Sequence, residues 1–405
     1  MSLRTSLSLS VSHTPIYKTS KYKTTMAKHQ PVVDEEEAPI HGDILEAILT
    51  HVPLIDLVPA CHVSTSWRGA VFSSLRHLNP VKPWLIVHAQ STRSPYTTTS
   101  HAYDPRSHVW VDIEQPSIKY VSTLRSSHSN LLYMQSPFRL VFSSDPLQLT
   151  WHKAVAPLVW RPDPIVALVG ERVVIAGGAC DFGEDPLAVE TYDLKTRAWD
   201  TCDDMPAILK DSCASTWLSV AVDKTKMYVM EKCSGAMHSF DPITKSWQGP
   251  YDLRRDPNVF SSIIGFVNNR MVVVGLVGEA ENVKSVKMWE VKGEMLDIQI
   301  EISEMPKELV AKLIGQSPRV TSIAMNSMGN FVFLHNPADP AEVIVCEVQN
   351  GGSFCSWGSV GNAAVDDGSR IVKNLVYTCA NVGLGELHQA LTSGNRRFTI
   401  KEEME

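Results

Sequence analysis

An aromatic residue followed by Asp, with Trp seven positions after the aromatic, recurs as Tyr103-Asp104…Trp110, Tyr192-Asp193…Trp199 and Phe240-Asp241…Trp247. Phe142…Trp151 is a looser copy, Trp289-Glu290…Leu296 a decayed one, and Cys346-Glu347…Trp357 a sixth with an insertion containing Gly351-Gly352. Positions 110, 151, 199, 247, 296 and 357 are separated by 41, 48, 48, 49 and 61 residues. A period of about 40–50 residues marks a closed array of supersecondary units, each burying its face only against its neighbours.

The units are made of strands. Short β-branched runs such as Leu85-Ile86-Val87, Val173-Val174-Ile175, Met227-Tyr228-Val229 and Phe331-Val332-Phe333 alternate with Gly, Asn, Asp and Pro, which predicts an all-β, six-bladed propeller. The repeated Trp is expected to fill the gap between neighbouring blades, and the Asp to cap a turn. A second spacing agrees: Gly178, Gly275 and Ala89 each precede the aromatic of their repeat by fourteen residues. A Gly there is read as allowing a tight turn between the second and third strands. The first blade starts at Trp84 with what reads as its second strand, and Ile371 to Tyr377 is an apolar strand left over at the end. Pairing the two closes the ring and removes an exposed edge.

Before Trp84 the pattern is helical. Ile44, Leu45, Ile48, Leu49 and Val52 form one wide apolar face, Pro53 stops it, Leu54, Leu57, Val58 and Cys61 form a second, and Ser64 stands at an N-cap position before Trp67, Val71 and Leu75. About 40 residues cannot bury this many apolar side chains among themselves, so a partner is expected to cover some of them. The competing expectation is that the bundle packs on the first blade.

The 405 residues carry a net charge of −7. Residues 1–33 hold five basic side chains and no acid, whereas 34–80 hold seven acids against Arg68 and Arg76. The folded part has no basic stripe to neutralise phosphates, so nucleic acid is not an expected partner. Eight cysteines include no C-x-x-C pair and read as reduced thiols of a cytoplasmic or nuclear protein. No stretch reaches the roughly 20 apolar residues of a membrane helix, since the run from Ile165 to Ala179 is broken by Glu171 and Arg172. The Ser/Thr-rich start reads as a disordered or optional tail ahead of Met26, with a transit peptide as the rival reading. No phosphate loop, nucleophile elbow or metal-chelating His pair is present, and Asp203-Asp204 and Asp366-Asp367 read as solvated turns. Neither catalysis, nor a cofactor, nor a metal is expected.

The run Val173-Val174-Ile175-Ala176-Gly177-Gly178, then Tyr192-Asp193, then Trp199, resembles a kelch repeat. The stretch from Ile40 to Leu57, continuing through Val63-Ser64-Thr65-Ser66-Trp67-Arg68, resembles an F-box, with Ile40-His41 where the family has Leu-Pro. Together they resemble the plant F-box/kelch-repeat family. Pro53-Leu54-Ile55-Asp56-Leu57-Val58-Pro59-Ala60 and Val376-Tyr377-Thr378-Cys379-Ala380-Asn381-Val382-Gly383 resemble its subgroup that targets enzymes of flavonoid and phenylpropanoid synthesis, such as chalcone synthase.

The resemblance implies a substrate-recognition subunit of an SCF-type ubiquitin ligase. A small all-α F-box at 38–80 would follow a basic tail at 1–37, with the propeller at 81–378 and an end segment at 379–405. Adaptor binding would fall to Ile40, Ile44, Leu45, Ile48, Leu49, Pro53, Leu57, Val63, Trp67 and Arg68. Structural kelch positions would be Gly177, Gly178, Tyr103, Trp110, Trp151, Tyr192, Trp199, Phe240, Trp247 and Trp357. The implied partners are a Skp-family adaptor, a cullin and a target protein held by propeller loops. Candidate loops are Asp181 to Asp185, Arg254-Arg255-Asp256 and Asn336 to Glu342. Helices and propeller are expected to be separate folding units joined near Asn79 to Pro83. The alternative is a kelch scaffold or ligand-binding protein without a ligase.

Overall fold

The computed structural model describes residues 40, 42–93, 97–114, 122–178, 185–254, 256–349, 354–365, 373–392 and 396–401. Three helices, α1 (Gly42–Leu49), α2 (Leu54–Ala60) and α3 (Thr65–His77), precede six antiparallel sheets. Blade 1 contains β1 (Trp84–Ser91), β2 (Thr98–Asp104) and β3 (Val109–Glu114), and blade 2 contains β4 (Leu132–Ser136), β5 (Arg139–Ser143) and β6 (His152–Val155). Blade 3 is β7 (Ile165–Val169), β8 (Arg172–Ala176), β9 (Val189–Asp193) and β10 (Ala198–Thr201). Blade 4 is β11 (Leu218–Val222), β12 (Met227–Glu231), β13 (Ala236–Asp241) and β14 (Ser246–Asp252). Blade 5 is β15 (Val259–Val267), β16 (Arg270–Glu279), β17 (Asn282–Lys292) and β18 (Ile298–Glu304), followed by helix α4 (Lys307–Ile314). Blade 6 is β19 (Ala324–Met328), β20 (Phe331–Asn336), β21 (Asp339–Gln349) and β22 (Phe354–Gly361). The chain then runs through β23 (Lys373–Ala380), α5 (Leu384–Thr392) and β24 (Arg397–Ile400).

Each repeat motif has a cross-strand geometry. Tyr103 lies opposite Trp110, Tyr192 opposite Trp199 and Phe240 opposite Trp247, with ring centroids 5.4, 5.2 and 5.0 Å apart. Direct cross-strand aromatic pairs stabilise a hairpin beyond their burial. The motif Asp sits at the turn that follows. The Asp193 carboxylate accepts from the amides of Lys195 and Thr196, and Asp241 from those of Ile243 and Thr244. Those two amide bonds hold the Asp193 carboxyl below its ordinary pKa.

The marker Trp residues pack in clusters shared with the preceding blade: Trp110 with Phe331 and Phe333 of blade 6, Trp199 with Tyr133 of blade 2, and Trp247 with Val174 and Val189 of blade 3. Trp151 packs towards Val376 of blade 1 and Trp357 towards blade 5. Trp199 and Trp247 also donate from Nε1 to the backbone of the blade before, at Val155 and Asp203, both at 3.1 Å.

Two sequence expectations need correction. The decayed marker of blade 5 is Gln299 rather than Leu296: it lies opposite Val291, next to the last residue of β17, as Trp199 lies opposite Tyr192. Its amide Nε2 donates to Leu253 O at 2.9 Å, replacing the indole bond. The turn between β17 and β18 has five residues against four in blades 3 and 4, which adds one position, and Trp289 stands two residues before the paired Val291, which adds two. The fourteen-residue spacing also has a different cause in each blade. Gly178 (φ 106°) does lie at the turn after β8, where a Cβ would meet Arg161 Cβ at 2.9 Å, and Gly177 beside it has φ 64°. Gly275 instead lies inside β16, where a Cβ would sit 2.8 Å from the Trp289 ring, and Ala89 lies inside β1. Ring clearance, not turning, requires the glycine at 275.

The ring closes as expected, with more of the C-terminus than expected. β23 pairs antiparallel with β1 from Trp84↔Ala380 to Ser91↔Lys373, supplying the inner strand of blade 1. β24 pairs with the outer edge of β3, giving the order β23-β1-β2-β3-β24. β23 and β24 are therefore strands of blade 1, and α5 packs against α2, rather than forming a separate end segment. The helices are not a separate folding unit either, because His41–Glu405 is one compact unit. Leu45, Leu49, Leu54, Leu57 and Val71 share a single core with Trp84, Ile86, Val111, Ile113 and Leu387. The boundary at 80/81 divides helix from strand but not core from core.

Candidate interaction surfaces

The apolar face of α1 splits in two. Leu45 and Leu49 are 1% and 2% exposed, whereas Ile44 and Ile48, one turn apart on the neighbouring ridge, are 68% and 45% exposed. Leu57 is buried with Leu45 and Leu49, while Ile40, Val63 and Phe72 are exposed. Of the expected adaptor residues, Leu45, Leu49 and Leu57 thus hold the helices to blade 1 and cannot meet a partner. Trp67 packs half-buried against the same core, and its amide donates to Ser64 Oγ at 3.1 Å, the expected N-cap. Pro53 stands at the start of α2, and Arg68 Nε donates to Cys61 O at 3.2 Å across the α2–α3 turn. The bundle packs on the first blade with one side and exposes the other to solvent.

The junction has a polar lock that the motif reading missed. Arg106, 4% exposed in the β2–β3 turn, donates from Nε to Asn79 O (3.0 Å), from Nη1 to Val52 O (2.5 Å) and from Nη2 to Leu49 O (2.9 Å). Leu49 O is a last-turn carbonyl of α1 with no intrahelical partner, at the negative end of the helix dipole, and Val52 O lies in the bend that follows. Asp104 Oδ1 accepts from the Arg106 amide at 2.9 Å, so the kelch Asp shapes the turn that presents the guanidinium. Asn79 Nδ2 returns bonds to Thr50 O and Arg106 O. On the far side, α5 packs on α2, with the His62 and His388 rings 5.4 Å apart. Leu384, Leu387 and Leu391 of α5, spaced i, i+3 and i+7, join the shared core, a helical period that could have exposed this element.

On the propeller axis the innermost segments enclose a cavity of about 410 Å³, lined by polar groups including Arg125, Lys232, Asn326 and Asn374. His335 stacks on Tyr377 at 3.7 Å there, and burial pushes His335 down to about 3 and His128 down to about 4. A second cavity, of about 360 Å³, opens between blades 4 and 5 beside Arg254, Asp256, Trp289 and Gln299. Among the candidate loops, 181–184 and Arg255 lie outside the described residues. Asn336 to Glu342 forms the β20–β21 hairpin: Asn336 Nδ2 donates to Ile314 O and Ser317 Oγ, and Asp339 accepts from the Gln316 amide. Among the described residues no three His, Cys, Asp or Glu side chains gather as a metal site, and no helix is long and apolar enough to cross a membrane.

No family model matches the chain. Among solved structures it is similar to a putative 6-phosphogluconolactonase from Bacteroides uniformis (10% identity, 69% of this chain and 83% of that one, TM-score 0.39). It is also similar to a chain of a nidogen/laminin complex (9% identity, 73% and 98%, TM-score 0.42). Among curated proteins it is 44% identical over 368 residues, 88% of this chain and 93% of that one, to F-box/kelch-repeat protein At1g23390 of Arabidopsis thaliana. With three helices locked onto the first of six blades and 44% identity over 88% of the chain, the chain belongs to the F-box/kelch-repeat family.

Proposed function

We propose that this chain is the substrate-recognition subunit of an SCF-type ubiquitin ligase, working in the cytoplasm or nucleus and itself non-catalytic. The helices dock a Skp-family adaptor and through it a cullin, and the propeller holds a target protein for ubiquitination and proteasomal degradation. The observation that carries this reading is the exposed Ile44–Ile48 ridge on a bundle whose opposite side is already buried. Covering each isoleucine is worth about 1.5–3 kcal/mol, enough for two to anchor an interface. The mechanism is proximity: adaptor and target are held on one rigid body, so target lysines meet the charged ubiquitin carrier at high effective concentration. The described cysteines are all free thiols, as suits a reducing compartment.

The flavonoid and phenylpropanoid subgroup supplies the first targets to assay, chalcone synthase and phenylalanine ammonia-lyase. The residues behind that resemblance have structural places, Leu54 and Leu57 in the shared core and Val376 to Ala380 in β23. They speak for a common scaffold more than for a common target. In plant tissue, overexpressing the full chain should shorten the target's half-life and proteasome inhibition should restore it. Unchanged half-lives for every protein that co-purifies with the chain would refute the proposal.

A further inference from the structure

The axial cavity, of about 410 Å³, falls within the ~300–1,000 Å³ range of small-molecule sites. It occupies the half of the axis remote from the helices. In blade 1 the β2–β3 turn, which carries Arg106 to α1, lies at the end where β23 finishes, since Leu85 pairs with Tyr103 and Trp84 with Ala380. The cavity is lined by the opposite half of that strand, Asn374 to Tyr377.

The charges on its wall do not cancel. Among the described residues they are Arg125, Asp163 and Lys232, two cations against one carboxylate. Asp163 is fully engaged: Oδ1 accepts from Arg125 Nη1 at 2.9 Å and from Ser215 Oγ at 2.7 Å, and Oδ2 accepts from Thr216 Oγ1 at 3.2 Å. Lys232 Nζ donates to Thr216 O at 2.8 Å and makes no ion pair among the described residues. Burial holds its ammonium below the ordinary lysine pKa, as expected of a cation short of counter-charge. On blade 6, His335 is 5% exposed and stacks on Tyr377, and neither of its ring nitrogens has a hydrogen-bond partner among the described residues. Unlike Nε2 of His88 or of His101, neither is sealed off, and the ring lines the cavity. Neutral at ordinary pH, it offers one N–H donor and one acceptor. Asn326, on the neighbouring β19, gives Nδ2 to Tyr377 O at 3.1 Å and keeps Oδ1 as a further acceptor.

We propose that the axial cavity is a binding site for a small hydroxylated monocarboxylate, with its carboxylate against Lys232 and its hydroxyls against His335 and Asn326. One surplus positive charge matches a monoanion better than a phosphate dianion. The polar wall calls for hydroxyls, because an apolar guest would cut His335, Asn326, Ser219 and Asn374 off from water without replacing its bonds. The site goes beyond the ligase reading and stands independently of it.

The test is calorimetric titration of the purified full chain with D-glucuronate, glucose and glucose 6-phosphate, in which similar rings carry a carboxylate, a neutral hydroxymethyl group or a dianion. Glucuronate should bind with one-to-one stoichiometry, at least tenfold more tightly than glucose and no more weakly than glucose 6-phosphate. Lys232→Met should weaken glucuronate at least tenfold, as loss of a bond to a charged group does, and leave glucose unchanged, whereas Lys232→Arg should stay within about threefold of the wild type. His335→Phe, which keeps a ring against Tyr377, should weaken glucuronate several-fold. Circular dichroism and melting temperature recorded on each variant separate lost binding from lost folding. No glucuronate binding by the wild type, equal binding of glucose, or tighter binding of glucose 6-phosphate would overturn the proposal. So would undiminished glucuronate binding by folded Lys232→Met or by folded His335→Phe.

Discussion

Arg106 carries the junction between helices and blade through three bonds to backbone carbonyls. Replacing it with Met keeps most of the volume but leaves buried acceptors unpaired, so Arg106→Met should lower unfolding stability by about 3 kcal/mol. The urea midpoint measures this, and an unchanged midpoint would mean the bonds are not formed in solution. Nothing in the sequence around Tyr103-Asp104-Pro105-Arg106 distinguishes this arginine from a solvated turn residue, because its partners are backbone atoms some 27 to 57 positions away. The buried histidines make a second residue-scale prediction. Burial first, with smaller contributions from the neighbouring Arg396 and His101, pushes His88 down to about 3, and burial alone does the same to His335, against the ordinary 6.5. Below 6.5 the unfolded chain therefore takes up protons the folded chain refuses, and stability falls from there as pH drops. Melting temperature should be level above about pH 7 and decline below 6.5, each such group contributing up to about 1.4 kcal/mol per pH unit. His335→Phe should flatten the decline between pH 6.5 and 5; an identical slope would remove His335 from the account.

Elements are where sequence periodicity was most and least informative. The strand that closes the ring is legible in Ile371 to Tyr377, a run with no place in the sixth repeat; residues 371 and 372 lie outside the described residues, and β23, from Lys373 to Ala380, pairs with β1 along its whole length. The outer strap is not legible, because β24 is a four-residue edge strand with only Phe398 and Ile400 apolar. Seven-residue counting misses the blade 5 marker because the aromatic of that repeat, Trp289, stands two residues before the paired position Val291, and the turn between β17 and β18 is one residue longer than in blades 3 and 4. Deleting residues 384–401 removes α5 from α2 and β24 from β3 while leaving the inner closure intact. The deletion should lower the melting temperature and speed amide hydrogen exchange in α1 to α3, with blades 3 to 5 protected as before. Equal protection in α1 to α3 would show that α5 does not hold the helices.

For the whole molecule, the shared core makes helices and propeller one rigid body rather than two beads on a linker. A fragment of residues 81–405 would expose Trp84, Ile86, Val111 and Leu387 together, the surface that Leu45, Leu49, Leu54 and Leu57 cover. The fragment should be poorly soluble or melt well below the full chain, measured by soluble yield and calorimetry. A soluble fragment of equal stability would restore the picture of separable units. For the same reason Leu45→Arg with Leu49→Arg should unfold the junction, because it places two unpaired charges in the core. The exposed ridge allows a clean separation of folding from docking, since neither Ile44 nor Ile48 supports the core. The decisive measurement is adaptor binding by the purified full chain and by its Ile44→Glu, Ile48→Glu variant, with circular dichroism and melting temperature recorded on both. The account predicts a stable complex with a Skp-family adaptor for the wild type, at least a hundredfold weaker binding for the variant, and indistinguishable folds. No complex with the wild type, or equal binding by a folded variant, would contradict it and leave the chain a kelch scaffold whose helices only cap the first blade.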